Sequence, residues 1–298
     1  MDYHDNKNGN LELSSGGRMH WRYCYDGFDF NPHFHPIRLN HFKNDVTVTN
    51  NLPGDHPWHQ GLMFAWKLIN GHNFWDQPDG KPSGKAIHCG IEILKCSETE
   101  FSFSQDLDLV TNEDQLLLKE KRTIVYRFNP SDQSLVFDWD IESRAQGIDL
   151  EFKGDPMHAC YGGLCFRGCA IIVDDYANSE NIDFSPPDNP HAKYVIARNQ
   201  DWFSMTLLLD GIERGPAIPE RFATAALIDH PENLHSPTPA LVWKHMQKLN
   251  MGILNPDGFT LNADETLRLR YRTVVKPGVL DRDWMKRSTE EFRKMTFC

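Results

Sequence analysis

The chain has no apolar run approaching the ~20 residues that cross a bilayer as a helix; its apolar stretches are as short as Leu207-Leu208-Leu209. It also lacks any dense Lys/Arg run, and its formal net charge of -11 repels phosphate backbones and anionic lipid. Neither nucleic acid nor a membrane is therefore an expected partner. The opening residues, MDYHDNKNGNLELSSGG, have neither the basic nor the apolar segment of a secretory signal, so the expected location is the cytoplasm. The seven cysteines form no CxxC pair. Cys160, Cys165 and Cys169 are read as buried reduced thiols, with a metal cluster as the alternative. A P-loop, a dinucleotide-binding glycine fingerprint and a G-x-S-x-G elbow are all missing, which argues against nucleotide hydrolase, Rossmann dehydrogenase and serine hydrolase chemistry. No linker rich in Pro, Gly or Ser divides the chain, and there are no internal repeats. The stretch 178–191, with Pro186, Pro187 and Pro190, reads as a long surface loop.

What the chain does have is period-two alternation. Phe101, Phe103, Leu107 and Leu109 alternate with Ser102, Ser104, Asp106 and Asp108. Leu135, Phe137, Trp139 and Ile141 oppose Asp138 and Asp140, and Leu267, Leu269 and Tyr271 oppose Arg268, Arg270 and Arg272. Each run is a strand with one apolar and one polar face, the signature of antiparallel sheet. The acidic and Arg faces either meet across strands or stand in solvent. Further strands are expected at 17–25, 44–50, 86–96, 116–128, 157–168, 201–209, 222–229 and 238–244, with turns at Asn129-Pro130-Ser131-Asp132 and Asn255-Pro256-Asp257-Gly258. One helix is expected at 281–296, started by Asp281 or Asp283 and carrying Trp284, Ser288, Phe292 and Met295 along one stripe. The reading is an all-β protein: a single large antiparallel β-sandwich domain over residues 1–298 with a C-terminal helix.

Nine of the fourteen histidines fall in the first third of the chain; among them His33, His35, His41, His56, His59, His72 and His88 stand out, many beside Pro, Gly, Asp or Trp, and are read as loop residues. His56 and His59 are three apart on Asp55-His56-Pro57-Trp58-His59, a spacing that aims two imidazoles at one point on a turn. They serve as a catalytic acid–base pair, as metal ligands, or as structural hydrogen-bonding groups. Asp55 is suited to orient one ring. A divalent metal ion would need further donors, drawn from His35, His88, His158 or His230, with His158 also readable as a core histidine. Arg38, Trp58, Trp66, Asn70, Asn73, Phe74 and Trp75 surround the pair in sequence, a mixture of aromatic faces and polar donors that lines sugar pockets, although each Trp alone also fits a core. Tyr161 opens a small-residue stretch containing Arg167, and Asp229-His230-Pro231 lies on a loop able to fold over the same pocket. Arg38 and Arg167 are expected to bind anionic or hydroxyl groups, Trp58 and Trp75 to stack on a ring, and Asn70, Tyr161 and His230 to complete the binding set.

The blocks HFHPIR (33–38), DHPWHQGL (55–62), NGHNFW (70–75), YGGLCFR (161–167), DHP (229–231), Thr238-Pro239, Asn255-Pro256 and the strand Leu269-Arg270-Tyr271-Arg272 occur in that order. Together, over residues 30–280, they resemble the bacterial and fungal family of unknown function labelled "methane oxygenase PmoA-like". That label implies no methane chemistry in a chain without a membrane helix. The resemblance implies an association with sugar oxidoreductases and a sheet architecture similar to the galactose mutarotase supersandwich. The leading expectation is an enzyme acting on a sugar, such as a keto-sugar or glycoside, by His-based or metal-assisted proton transfer: an epimerase, lyase or hydrolase. The alternatives are a non-catalytic carbohydrate-binding protein and a β-rich interaction scaffold.

Overall fold

A computed structural model of the chain describes residues 1–26, 31–39, 46–76, 83–154, 161–169, 171–178, 183–185, 195–209, 221–254 and 257–296. Every strand pairing is antiparallel among these residues, as the alternation requires. One sheet runs, in spatial order, through Asp2–Asp5, Asn10–Ser15, Arg18–Cys24, His33–Leu39, Leu62–Ala65, Gly163–Arg167, Lys248–Met251, Ala240–Trp243, Val195–Arg198 and Asp183–Ser185. The second runs through Ile171–Asn178, Trp202–Leu208, Phe222–Asp229, Thr266–Pro277, Ser134–Ala145, Leu116–Asn129, Glu100–Thr111 and Gly84–Cys96. A smaller sheet joins Phe259–Leu261, Leu150–Lys153, Leu68–Ile69 and His72–Asn73.

The two large sheets bury one continuous apolar layer between them. Trp21, Phe34 and Phe64 come from the first sheet; Phe103, Tyr126, Phe137 and Trp139 come from the second. Phe34 meets Phe137 and Trp139 with ring centroids 5.0 Å and 5.7 Å apart. Phe101, Phe103, Leu107 and Leu109 keep one unbroken period-two phase on the buried side, with Gln105 buried between them, while the bulges fall on the partner strand Gly84–Cys96, at Leu94 and Cys89.

The acidic and Arg faces do meet. Asp138 stands opposite Arg272, and Asp140 opposite Arg270, in register. Arg272 grips Asp138 through Nε at 2.6 Å and Nη2 at 2.9 Å, and the pair is buried because the helix Arg282–Arg293 lies over it. Arg272 Nη1 also donates to the Ser288 carbonyl at 3.0 Å, tying helix to sheet. Asp281 caps the helix by accepting from the Trp284 amide at 2.9 Å, and Met285 and Phe292 are buried against Trp202 and Ile228.

Two expectations needed correction. His33 and His35 are strand residues on His33–Leu39, not loop residues, because His33, Phe34 and Ile37 pair with Cys24, Tyr23 and Trp21 on either side of Pro36. Trp66 and Phe74 belong to the core: the Trp66 indole donates to Glu120 at 2.9 Å, between the sheets. His158, Cys160, Asn255-Pro256 and most of 178–191 lie outside the described residues. No helix among the described residues is long and apolar enough to cross a membrane.

Candidate functional site

Alternation along the first sheet sends Leu62, Phe64, Leu164, Phe166, Leu249 and Met251 into the core. The residues between them (Met63, Ala65, Cys165, Arg167 and Lys248) therefore share the opposite face. That face is covered by the turn His56-Pro57-Trp58-His59, closed by the His59 amide donating to the His56 carbonyl at 3.0 Å. Proline at the second turn position is pre-set for this geometry. The turn stacks the two imidazoles, with centroids 5.1 Å apart and planes 11° from parallel. Gly61 then brings the chain against the Phe34 carbonyl, at φ +44° and with no room for a Cβ, and starts the strand that carries Met63.

Beneath the turn, His59 is buried, and its Nε2 meets the Tyr161 hydroxyl and Lys248 Nζ, the latter at 3.1 Å. Lys248 Nζ also donates to the Tyr161 oxygen at 2.9 Å. With Nε2 accepting, the neutral ring carries its proton on Nδ1. The Lys248 ammonium is boxed by aromatic faces, 4.1 Å from the Tyr161 and Trp243 ring centres and 5.3 Å from that of Trp75. Burial pushes its pKa down to about 7; the neighbouring Arg167 lowers it further, while Asp76 opposes the drop. Lys248 thus stands ready to give or take a proton near neutrality.

Arg167, the register partner of Lys248, reaches back to the turn and donates Nη2 to both oxygens of Asp55, at 2.9 Å and 3.1 Å. Asp55 Oδ2 lies 3.3 Å from His56 Nδ1. Partial burial pushes the Asp55 carboxyl up, but the Arg167 hydrogen bonds and charge outweigh it and hold it below the usual range. On the other side Lys67 pairs with Asp76 at 2.6 Å, and the Asn73 side chain both donates to Asp76 and accepts from the Trp75 amide at 3.0 Å, fixing Trp75 over the site. Asp55 and His56 are the exposed mouth; His59, Tyr161, Trp75, Arg167 and Lys248 are the buried floor.

The structure therefore gathers Asp55, His56, Trp58, His59, Trp75, Tyr161 and Arg167 from the expected set. It does not gather three others. Asn70 is an exposed turn residue with φ +48°, its side chain spent on the Asp149 carbonyl and the Glu151 amide. His230 lies on the second sheet's loop against Phe292, its Nδ1 accepting from the Glu232 amide at 3.3 Å. Arg38 shares the site's sheet but stands on His33–Leu39, paired with Thr47 and separated from the Arg167 strand by Leu62–Ala65. Lys248, Trp243, Lys67 and Asp76 were not read from the sequence as site residues.

Among the described residues no three His, Cys, Asp or Glu side chains gather to hold a metal. His59 Nε2, one of the ring nitrogens able to bind an ion, is engaged by Tyr161 and Lys248. Of the further donors expected, His35 bonds Thr49 at 3.0 Å, and His88 lies on the second sheet beside Gln105. His158 is outside the described residues.

A family model described as a family of unknown function (DUF6807) matches residues 10–290. This overturns the resemblance to the "methane oxygenase PmoA-like" family, which no match supports. No curated protein matches the chain. Solved structures similar to it include the GH36 alpha-galactosidase AgaB from Geobacillus stearothermophilus, at 9% identity and TM-score 0.48, covering 93% of this chain and 41% of that one. A galactose mutarotase related enzyme from Lactobacillus acidophilus is similar at 8% identity and TM-score 0.43, covering 94% and 99%. The galactosidase domain of an alpha-galactosidase-sucrose kinase, AgaSK, is similar at 8% identity and TM-score 0.36, covering 92% and 41%. The chain thus spans less than half of two of these three, and likeness at this level assigns no activity.

Proposed function

The chain belongs to that family of unknown function, and from its site rather than its family we propose a carbohydrate-active enzyme that works by proton transfer. The observation that carries this reading is the buried group in which His59 Nε2, the Tyr161 hydroxyl and Lys248 Nζ all lie within hydrogen-bonding reach of one another. Three titratable groups in mutual contact, one with its pKa held near 7, form an acid–base couple suited to neutral pH. His59 and Tyr161 exchange the proton with the substrate, and Lys248 offsets the charge that develops on Tyr161. Trp58 and Trp75 supply ring faces for apolar C–H surfaces of a sugar, and Asp55, locked by Arg167, orients His56 at the mouth. Such a couple serves epimerisation, β-elimination and hydrolysis alike, each of which begins with a similar proton movement. No metal takes part in this reading.

The test is incubation with a panel of sugars, keto-sugars and glycosides in deuterated water, followed by proton NMR. Exchange of a C–H beside a carbonyl, or conversion of one panel member, is the expected result. His59→Ala and Lys248→Met should lower that rate by ~10²–10⁴-fold, the usual cost of a lost acid or base, while ligand still binds. Turnover by both variants at the rate of the unaltered protein would defeat the proposal. A non-catalytic sugar-binding protein is the second reading, favoured by the complete burial of the Lys248 ammonium among rings. It predicts binding without exchange.

A further inference from the structure

Among the described residues the charges around the site do not balance. Three buried cationic side chains, Lys67, Arg167 and Lys248, share it with two carboxylates, Asp55 and Asp76. Asp76 is matched by Lys67, and Asp55, the more exposed of the two acids, is matched by Arg167. Lys248 has hydrogen-bonding partners, but both are uncharged groups, His59 and Tyr161. Cys165 is no counter-ion, because burial raises its pKa and keeps the thiol neutral.

Hydrogen-bonding capacity points the same way. Arg167 is 3% exposed, yet its Nε and Nη1 have no hydrogen-bond partner, and neither does the buried Trp75 indole nitrogen. All three are donors. A buried guanidinium with two unspent nitrogens is costly unless an acceptor arrives to use them. The strands put these donors together: Arg167 and Lys248 are register partners, and Lys248 Nζ lies 5.3 Å from the Trp75 ring. Donors without acceptors beside an uncompensated cation describe a place for a negatively charged oxygen group.

We propose that the ligand of this site carries a carboxylate or a phosphate ester, and that Arg167, backed by Lys248, holds it. The proposal rests on the sugar reading above and narrows its substrate class to acidic or phosphorylated sugars.

The experiment is titration calorimetry at low ionic strength with five probes: D-glucose, D-glucuronate, D-glucose 6-phosphate, acetate and inorganic phosphate. Glucuronate or glucose 6-phosphate should bind at least about tenfold more tightly than glucose, the ratio a charge-assisted hydrogen bond gives. Whichever of the two is preferred separates the carboxylate from the phosphate source. Added salt should weaken the preferred ligand and leave glucose unchanged. Arg167→Gln should erase the preference, and Arg167→Lys, which keeps the charge without the fork, should retain part of it; the latter keeps the test decisive if Arg167→Gln fails to fold. Equal affinity for charged and neutral sugars would overturn the proposal while leaving the sugar reading in place. Binding of acetate or phosphate through Arg167 with no sugar bound would support the anion site and sink the sugar reading. No Arg167-dependent binding of any anion would overturn the proposal.

Discussion

Replacing Lys248 by Met keeps an unbranched side chain one atom shorter and removes its charge. In the native protein burial holds the ammonium pKa near 7, against 10.5 for a free lysine. A basic group whose pKa falls on folding opposes folding whenever it is protonated in the unfolded chain. Below about pH 7 both states carry the proton and the opposition is complete. Between about pH 7 and 10.5 the unfolded chain binds the proton and the native protein does not, so native stability rises with pH. Above that range neither state is protonated and the opposition is gone. A drop from 10.5 to about 7 is worth at most roughly 5 kcal/mol, at about 1.4 kcal/mol for each pH unit. Against it stand the hydrogen bonds to Tyr161 and His59, each worth about 1 kcal/mol, which Met cannot make. Lys248→Met should therefore be more stable than the unaltered protein near pH 6, and the gain should shrink by several kcal/mol as pH approaches 10. Urea unfolding of both proteins across that range measures it. A stability difference that stays flat within about 0.5 kcal/mol would show that Lys248 titrates like an exposed lysine, and the acid–base reading of the site would lose its basis.

Arg272→Leu leaves Asp138 charged beneath the helix; it should cost ~3–5 kcal/mol in denaturant unfolding, towards the lower end because Arg127 also reaches Asp138. Asp281→Ala should cost ~0.5–2 kcal/mol through loss of the helix cap, and an unchanged melting temperature would remove the cap from the account. Gly163→Ala meets a backbone at φ +100° with the Met251 carbonyl 2.4 Å from the new Cβ, so the strand beneath Arg167 must shift. That variant should lose both thermal stability and anion affinity, and a protein of ordinary stability would show the approach to be looser than the structure has it.

The fold was legible wherever one face of a strand is dry and the other polar. Leu135–Ile141 and Leu267–Tyr271 show it best: their charged residues prove to be register partners as well as a shared face. What could not be read was that the helix would bury Asp138 and Arg272, since burial of a sheet's polar face depends on what lies over it. The site divides along the same line. His56 and His59 were found because Pro57 fixes a local turn, and a turn's first and fourth residues face each other whatever surrounds them. Asp229-His230-Pro231 carries the same three residue types, yet Asp229 is spent on Asn233 and the Thr238 amide, at 2.6 Å and 2.8 Å, so it builds a corner instead of a pocket. Lys248 gave no sign at all. Between Trp243 and Met251 it alternates with Leu249 as a solvent-facing lysine would, and only the turn above it and Trp75 beside it turn that outward position into an interior one. The residue on which the chemistry most depends is thus defined by two segments some 170–190 positions away in sequence, His56–His59 and Asn73–Asp76. If those segments create its environment, loosening them should restore it. Asn73→Ala frees Trp75 and Asp76, opens the aromatic box and admits water to Lys248, so the lysine pKa should climb back towards 10.5. Nitrogen-15 chemical shifts of Lys248 Nζ followed against pH would record that climb, and a pKa that stays near 7 in the variant would place the cause in the sheet itself rather than in its cover.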